Sequence, residues 1–330
     1  MKMKIMNDIY GIHHVTAIAS DPQRTVDFYT SVLGLRLVKL TVNFDDPTTY
    51  HLYFGDELGR PGTILTFFPW SEAPKGHRGT GQVITTSFLI SEKSIDFWQT
   101  RLKKNQVTFN GPFKRFDEQV LSLYDPDGLE IELVSHSSAQ DRGVNVWNGA
   151  GIPSEHAVRG FYSVAISEEG FERTASILTQ ELGFTYVGQE KSRFRYKIQD
   201  SEAGASIVDV LCLPYTPLGY IGVGSVHHVA FRTTTDDNQK SLRANIIKAG
   251  LNATPIIDRM YFHSVYFREP GGVLFEIATD PPGFTVDQKS SELGARLMLP
   301  KWLEPERKNL EKILPRLRLS NTRKGSEFEK

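Results

Sequence analysis

The amino-acid sequence predicts an α+β fold in which four βαβββ modules pair into two barrel-like cups, followed by a C-terminal helical extension. Three observations carry this expectation. The chain repeats itself: Gly59–Pro69 (GRPGTILTFFP) has a counterpart in Gly204–Pro214 (GASIVDVLCLP), and Asp125–Leu133 (DPDGLEIEL) has one in Glu269–Ile277 (EPGGVLFEI), with Glu four places after Gly in each of the second pair. Each of the resulting units opens with a strand-like run followed by a stretch of helical apolar periodicity and then about three strands. The length of 330 residues also exceeds the ~100–200 of one ordinary domain.

The elements follow in order. Opening strands are expected at Ile12–Ile18, Val83–Ile90, Phe161–Ile166 and Val226–Phe231. The first helix has Asp21 to cap it, Pro22 in its first turn, an apolar stripe of Val26, Tyr29, Val32 and Leu33, and Gly34 to end it. Ile95–Leu102, Phe171–Leu182 and Gln239–Ala249 carry comparable stripes, and the last two are followed by Gly183 and Gly250. Extended, aromatic or β-branched runs come next, such as Tyr50–Phe54 with Ile64–Phe68 and Val265–Phe267 with Val273–Ile277. Beyond Phe284 the pattern stops, and Trp302–Leu319 reads as one basic amphipathic helix interrupted or ended near Pro315, an appendage or a cover for one domain. The expected division is 1–145 for the first pair of modules, 146–284 for the second pair and 285–330 for the extension.

Hydrophobic residues make up 39% and charged residues 23%, a composition that supports a packed core. A net charge of −1 gives no general attraction to nucleic acid or to an anionic membrane surface. The single Cys212 allows neither an intrachain disulfide nor a cysteine-based metal cluster. The charged start, Met1–Asp8, leads into no secretory apolar run, and no later run approaches ~18 apolar residues. A cytoplasmic protein with no nucleic-acid or membrane partner is expected, its oligomeric state open and a homo-oligomer included.

Of 9 histidines, four form two adjacent pairs, His13-His14 and His227-His228, at the same place in two opening strands. Neighbours in a strand face opposite ways, so each strand presents one matched imidazole. With Glu276, this makes the two-His, one-carboxylate set that leaves positions open on Fe(II). Ligands from the first and fourth units require those two to line one cup and the second and third to form the other. The third unit opens with Phe161-Tyr162-Ser163, without His, so a second cup free of metal is expected and Glu132 reads as a solvent-facing or hydrogen-bonded strand carboxylate. His51, His77, His136, His156 and His263 read as surface or ordinary hydrogen-bonding residues, and Phe44, Tyr50, Tyr53, Phe67, Phe68 and Trp70 as core that could also wall an aromatic pocket.

The segments Gly11–Thr16 (GIHHVT), Ser225–Ala230 (SVHHVA) and above all Tyr266–Ile277 (YFREPGGVLFEI) resemble the vicinal-oxygen-chelate (glyoxalase/extradiol dioxygenase) superfamily, and within it the hydroquinone ring-cleaving dioxygenases. The resemblance runs from Gly11 to about Leu314. It implies Fe(II) held by His14, His228 and Glu276, and catalytic roles in acid/base work or substrate orientation for His13, Thr16, His227, Arg259 and Tyr266. Without it, Arg259 reads equally as a surface ion-pair residue, Tyr266 as core, and His13 and His227 as packing between strand and helix. The implied activity is extradiol-type cleavage of a hydroquinone or related phenol with insertion of both atoms of O2, the small aromatic substrate and O2 being the partners. Two rivals stand beside it. A glyoxalase-like isomerase or lyase would want a second carboxylate where Thr66 stands, and a non-catalytic aromatic-binding resistance protein would have no need of His14, His228 and Glu276 together. One tension is internal: a regular strand turns His227 away from the side of His228, so a role near substrate requires a twist or bulge there.

Overall fold

The computed structural model describes residues 8–140, 142, 146–148, 150–199 and 205–319; the N-terminal residues 1–7, Gly204 of the repeat and the expected boundary at 145 lie outside the described residues. The first module comprises β1 (Ile12–Ala19), α1 (Pro22–Asp27), β2 (Arg36–Asn43), β3 (Asp46–Gly55) and β4 (Ile64–Pro69). The second follows with β5 (Gln82–Ile90), α2 (Ile95–Lys104), β6 (Phe109–Arg115), β7 (Glu118–Tyr124) and β8 (Glu130–Ser135). The third has β9 (Phe161–Glu168), α3 (Glu172–Ser176), β10 (Thr185–Glu190), β11 (Arg193–Lys197) and β12 (Ile207–Cys212). The fourth has β13 (Val226–Thr233), α4 (Asp236–Lys248), β14 (Ile257–Asp258), β15 (His263–Arg268) and β16 (Leu274–Thr279).

Local chemistry accounts for the helices. The Asp21 carboxylate accepts from Arg24 N at 2.8 Å and opens α1. Both α1 and α3 continue into a wider π-helical turn, Phe28–Val32 and Ile177–Glu181, and stop at Gly34 and Gly183, whose φ values of +70° and +71° suit a residue without Cβ. The repeat thus extends to an irregularity that apolar periodicity does not reveal.

The modules form two eight-stranded sheets, β14-β15-β16-β13-β1-β4-β3-β2 and β10-β11-β12-β9-β5-β8-β7-β6. Each is joined at its centre by an antiparallel pair of opening strands, β1 with β13 and β5 with β9. The first and fourth modules therefore share one sheet and the second and third the other, as the placement of the His pairs requires. All eight residues of β1 are buried, so its sequence shows no polar alternation.

Both central ladders are bulged at corresponding places. Ile12 pairs with Phe231 and His14 with Ala230, leaving His13 as the extra residue; Thr16 pairs with His228 and Ala17 with Val226, leaving His227 as the other. In the second sheet the same construction leaves out Ile84 and Tyr162.

The second cup is filled by paired charges. Glu132, at the place Glu276 holds in the first cup, is buried and accepts from Arg115 Nη1 and Nη2 at 2.7 and 2.5 Å and from Ser87 Oγ at 2.7 Å. It is the hydrogen-bonded strand carboxylate of the two alternatives, and it faces no solvent. Arg195 makes paired bonds of 2.9 Å to Glu118 and bonds of 2.8 and 2.9 Å to Asp209, which Arg193 also reaches at 2.9 Å. Three buried carboxylates thus meet three guanidinium groups, which compensates the cost of desolvating each.

The extension straps the open edge of the first sheet. Lys39 Nζ, fully buried on β2, donates to Asp287 Oδ1 (2.5 Å), Gln288 Oε1 (2.7 Å) and the Phe284 carbonyl (3.1 Å). Leu40 bridges to Leu297, Phe44 packs edge-on against Trp302, and Tyr50 OH donates to the Pro315 carbonyl. The helix expected within Trp302–Leu319 starts later, as α5, Arg307–Ile313, after a short 3-10 turn at Glu304–Glu306, and ends before Pro315 as expected. Leu314 is extended (ψ 136°) because the ring of Pro315 disfavours a helical residue before it, and the chain beyond runs without helix. No helix among the described residues is long and apolar enough to cross a membrane.

Where the third and fourth modules meet, Glu269 accepts from Val273 N (2.9 Å) and Thr174 Oγ1 (2.7 Å), and Glu168 is buried beside it. Burial, and then repulsion from Glu269, push the Glu168 carboxyl up to about 8. The folded chain therefore keeps a proton that the unfolded chain releases near 4.5, and this contribution to stability, complete below pH 4.5, is lost as pH rises through 8. Glu168→Gln is expected to melt above wild type at pH 9 by a few degrees, about 2–4 °C for each kcal/mol in a chain of this size class. The gap should close towards pH 5, and a gap that does not change with pH would rule out the retained proton.

Candidate metal centre and its cavity

The three residues singled out as metal ligands come together. β1 carries His14 and β13 carries His228, while β16, paired in parallel with β13, sets Glu276 beside Ala230. His14 Nε2 and His228 Nε2 lie 3.3 Å apart, and they stand 3.2 and 3.0 Å from Glu276 Oε2. The ligating atoms fall within 4.8 Å of one another, and this is the cluster of such geometry found among the described residues. Glu276 Oε1 accepts from Ser264 Oγ at 2.6 Å, whereas Oε2 is buried and receives no well-directed hydrogen bond. Burial would raise the Glu276 carboxyl, but attraction to His14 and then His228 outweighs it and holds the group well below the usual carboxylate range. Two imidazole nitrogens and a charged oxygen aimed at one point, the oxygen without its own donor, fit a divalent cation.

The bulges explain the neighbouring histidines. A bulge residue does not alternate with its neighbour, and His13 Nδ1 comes within 2.9 Å of His14 Nδ1 while His227 Nδ1 comes within 2.7 Å of His228 Nδ1. If each ligand imidazole binds through Nε2, its Nδ1 carries hydrogen and donates to the preceding histidine, which fixes tautomer and ring orientation. Burial, and then its neighbour His228, push His227 down to about 3; burial and then His14 push His13 well below the ordinary range. Both are neutral near pH 7.

A small cavity of about 30 Å³ opens on the ligands, walled by His14, His228, His51, Tyr53, Phe68, Phe262, Arg259, Tyr266 and the turn Asn43–Asp45. Arg259 and Tyr266 both line it, with the guanidinium 5.5 Å above the phenol ring and Tyr266 edge-on to His228. Burial raises the Tyr266 phenol, keeping it protonated. His13, Thr16 and His227 do not line the cavity. His227 instead packs edge-on against Phe68 and Trp70, and Thr16 shares a 2.8 Å hydrogen bond with Thr66.

His51 was read from sequence as an ordinary histidine, yet it faces the cavity. It is hydrogen-bonded to Thr66 Oγ1 through Nε2 and to Tyr53 OH through Nδ1, each at 2.8 Å, so a chain runs Tyr53–His51–Thr66–Thr16 across the sheet. Burial, and then His14, push its imidazole well below the ordinary range. Its sequence signal was its place on a strand of the first module, two residues before Tyr53, but nothing local distinguished it from His77 or His136.

Comparison with known proteins agrees with this architecture. Residues 11–133 and 160–277 match the family model described as Glyoxalase/Bleomycin resistance protein/Dioxygenase superfamily. The chain is 44% identical over 308 residues to a Bacillus subtilis (strain 168) protein named as a ring-cleaving dioxygenase, MhqO, covering 92% of this chain and 96% of that one. It is 34% identical over 310 residues to the chlorohydroquinone/hydroquinone 1,2-dioxygenase of Sphingobium indicum, covering 92% and 95%. A crystal structure described as that of a dioxygenase from Bacillus subtilis superposes with a TM-score of 0.90 at 42% identity over 94% of this chain and 98% of that one. With two matched segments spanning most of its length and relatives aligned nearly end to end, the chain belongs to the Glyoxalase/Bleomycin resistance protein/Dioxygenase superfamily.

Proposed function

We propose that this enzyme is an Fe(II)-dependent, extradiol-type ring-cleaving dioxygenase that inserts both atoms of O2 into a hydroquinone or related phenol. The observation that carries the reading is the convergence of His14 Nε2, His228 Nε2 and the buried Glu276 Oε2, with both histidines lining a cavity that Arg259 and Tyr266 also wall. The relatives named as ring-cleaving dioxygenases point the same way. A two-His, one-carboxylate set leaves adjacent positions open, and iron held there supplies electron transfer between a bound phenol and O2. His14 and His228 would hold the ion while His13 and His227 hold them. Arg259 would orient an anionic oxygen of the substrate, and the protonated Tyr266 would donate to it. His51, neutral and facing the cavity, is hydrogen-bonded through both ring nitrogens and would hold the Tyr53 hydroxyl and Thr66 in place at the cavity wall. A glyoxalase-like reading gains no support at Thr66, whose hydroxyl is engaged by Thr16 and His51 and offers no charge.

Anaerobic reconstitution with Fe(II) followed by O2 uptake on a panel of hydroquinones and catechols tests the reading. One O2 consumed per ring opened is expected with at least one hydroquinone. Absence of O2 uptake from an iron-loaded enzyme across the panel would overturn it.

A further inference from the structure

A cavity of about 30 Å³ holds one or two water molecules, whereas small-molecule pockets run to roughly 300–1,000 Å³. An aromatic ring reaches the ligand cluster only after a wall moves. The walls on β1, β13, β15, β4 and β3 are paired strands, and Arg259 and Phe262 stand in the β14–β15 turn, closed by Arg259 N donating to the Phe262 carbonyl (3.0 Å). The tip of the β2–β3 hairpin is paired only in part: Asn43 pairs with Asp46, the next rung is Val42 with Tyr50, and Pro47, Thr48 and Thr49 lie unpaired between them. The tip is held by the Asp45 carboxylate on the Arg259 guanidinium (2.9 and 3.1 Å) and by Phe44, which packs on Trp302 of the extension and against the cluster that holds Tyr53 and Phe262. The Asp45 side chain is 71% exposed and that of Arg259 only 18%, so Asp45 can return to water at small cost while Arg259 stays in the cavity wall.

We propose that Asp45 gates the cavity. Its carboxylate occupies Arg259 in the closed state, and an oxygen of the incoming hydroquinone displaces it as the Asn43–Asp46 tip swings off Trp302. This rests on the phenol-binding reading above and adds to it a residue that sets access. Arg259 thus has two competing partners, one on the hairpin and one on the substrate. The guanidinium is thereby paired in both states, with Asp45 when the cavity is closed and with the substrate oxygen when it is filled.

The test measures equilibrium binding of hydroquinone to the anaerobic Fe(II)-loaded enzyme by intrinsic tryptophan fluorescence, with Asp45→Asn compared with wild type. Removing the competing charge should tighten Kd by about 2- to 5-fold, the equivalent of one weak ion pair. Binding should also change the fluorescence of wild type, and Trp302→Phe should abolish that change while binding persists by O2-free equilibrium dialysis. An unchanged Kd in Asp45→Asn overturns the gate, and a tightened Kd with a silent Trp302 overturns the movement of the tip. Hydroquinone bound by neither protein overturns the phenol reading itself and the gate with it, whereas binding by both with equal Kd overturns the gate alone.

Discussion

Glu276→Ala is expected to take the iron content of the chain from one ion to background after anaerobic loading and dialysis. Glu276 brings the negative charge of the ligand set, and without it two neutral imidazoles remain to hold a doubly charged ion that prefers three donors. The fold should survive. The substitution leaves the Ser264 hydroxyl without its acceptor, a loss on the order of 1–3 kcal/mol, but it also removes a fully buried charge. His14→Ala should behave in the same way. Metal analysis beside circular dichroism checks both variants, and stoichiometric iron in each would remove the site assignment. One ion per chain is expected, because Glu132 has its oxygens committed to Arg115 and Ser87. An ion found beside Ser163 or Glu132 would show that the wrong cup had been chosen.

Loss of the His227 imidazole should leave iron bound at saturating metal and lower turnover by roughly 10²–10⁴ in His227→Ala, the range for a positioned acid/base group. The structure offers a second route to a large loss. His227 Nδ1 lies against His228 Nδ1, and its depressed pKa makes it a poor base, so its contribution can pass through the orientation of the ligand. Removing such a partner costs about 10–100-fold in metal affinity or activity. His227→Asn separates the routes, since an amide oxygen can accept from the His228 N–H but cannot exchange a proton. Recovery of iron affinity and most turnover in Asn, with both impaired in Ala, marks a positioning residue. Equal loss of turnover in the two variants, with iron affinity intact, marks proton transfer. Near-normal kcat with a lowered melting temperature would leave His227 as packing alone.

The pairing of the modules was legible because one uncommon residue, duplicated as His13-His14 and His227-His228, marks equivalent strands far apart in sequence. The turn Glu269–Gly272 before Glu276 was legible for the same reason, as the echo of Asp125–Gly128. Of the bulges, only the one at His227 was anticipated, as a condition on its role, and the one at His13 was not. Strand alternation sets the two histidines of a pair on opposite sides, and their meeting at 2.7 and 2.9 Å depends on a skipped rung in the partner strand, which no local pattern encodes. His51 and Asp45 escaped notice because curling of the sheet, rather than any repeat of sequence, carries β2 and β3 over the ligands. The end of α5 near Pro315 was legible from backbone sterics, whereas its start was set five residues early, at Trp302, because the apolar pattern runs on through a 3-10 turn at Glu304–Glu306.

The sheet order also sets a timetable for assembly. β5 to β12 are contiguous, so the charge-filled cup can close as soon as the third module has left the ribosome. β1 has its central neighbour in β13, whose first residue, Val226, comes 207 residues after Ala19, the last of β1. At ~5–20 residues per second, the first module waits on the order of 10–40 s with an unpaired strand edge. The cup bearing His14 closes last, by the longest loop closure in the molecule among the described strands. The side chains of His14, His228 and Glu276 meet only when β13 and β16 dock beside β1. Their convergence is thereby tied to a late strand pairing, with only the strap of the extension over β2 and β3 left to follow.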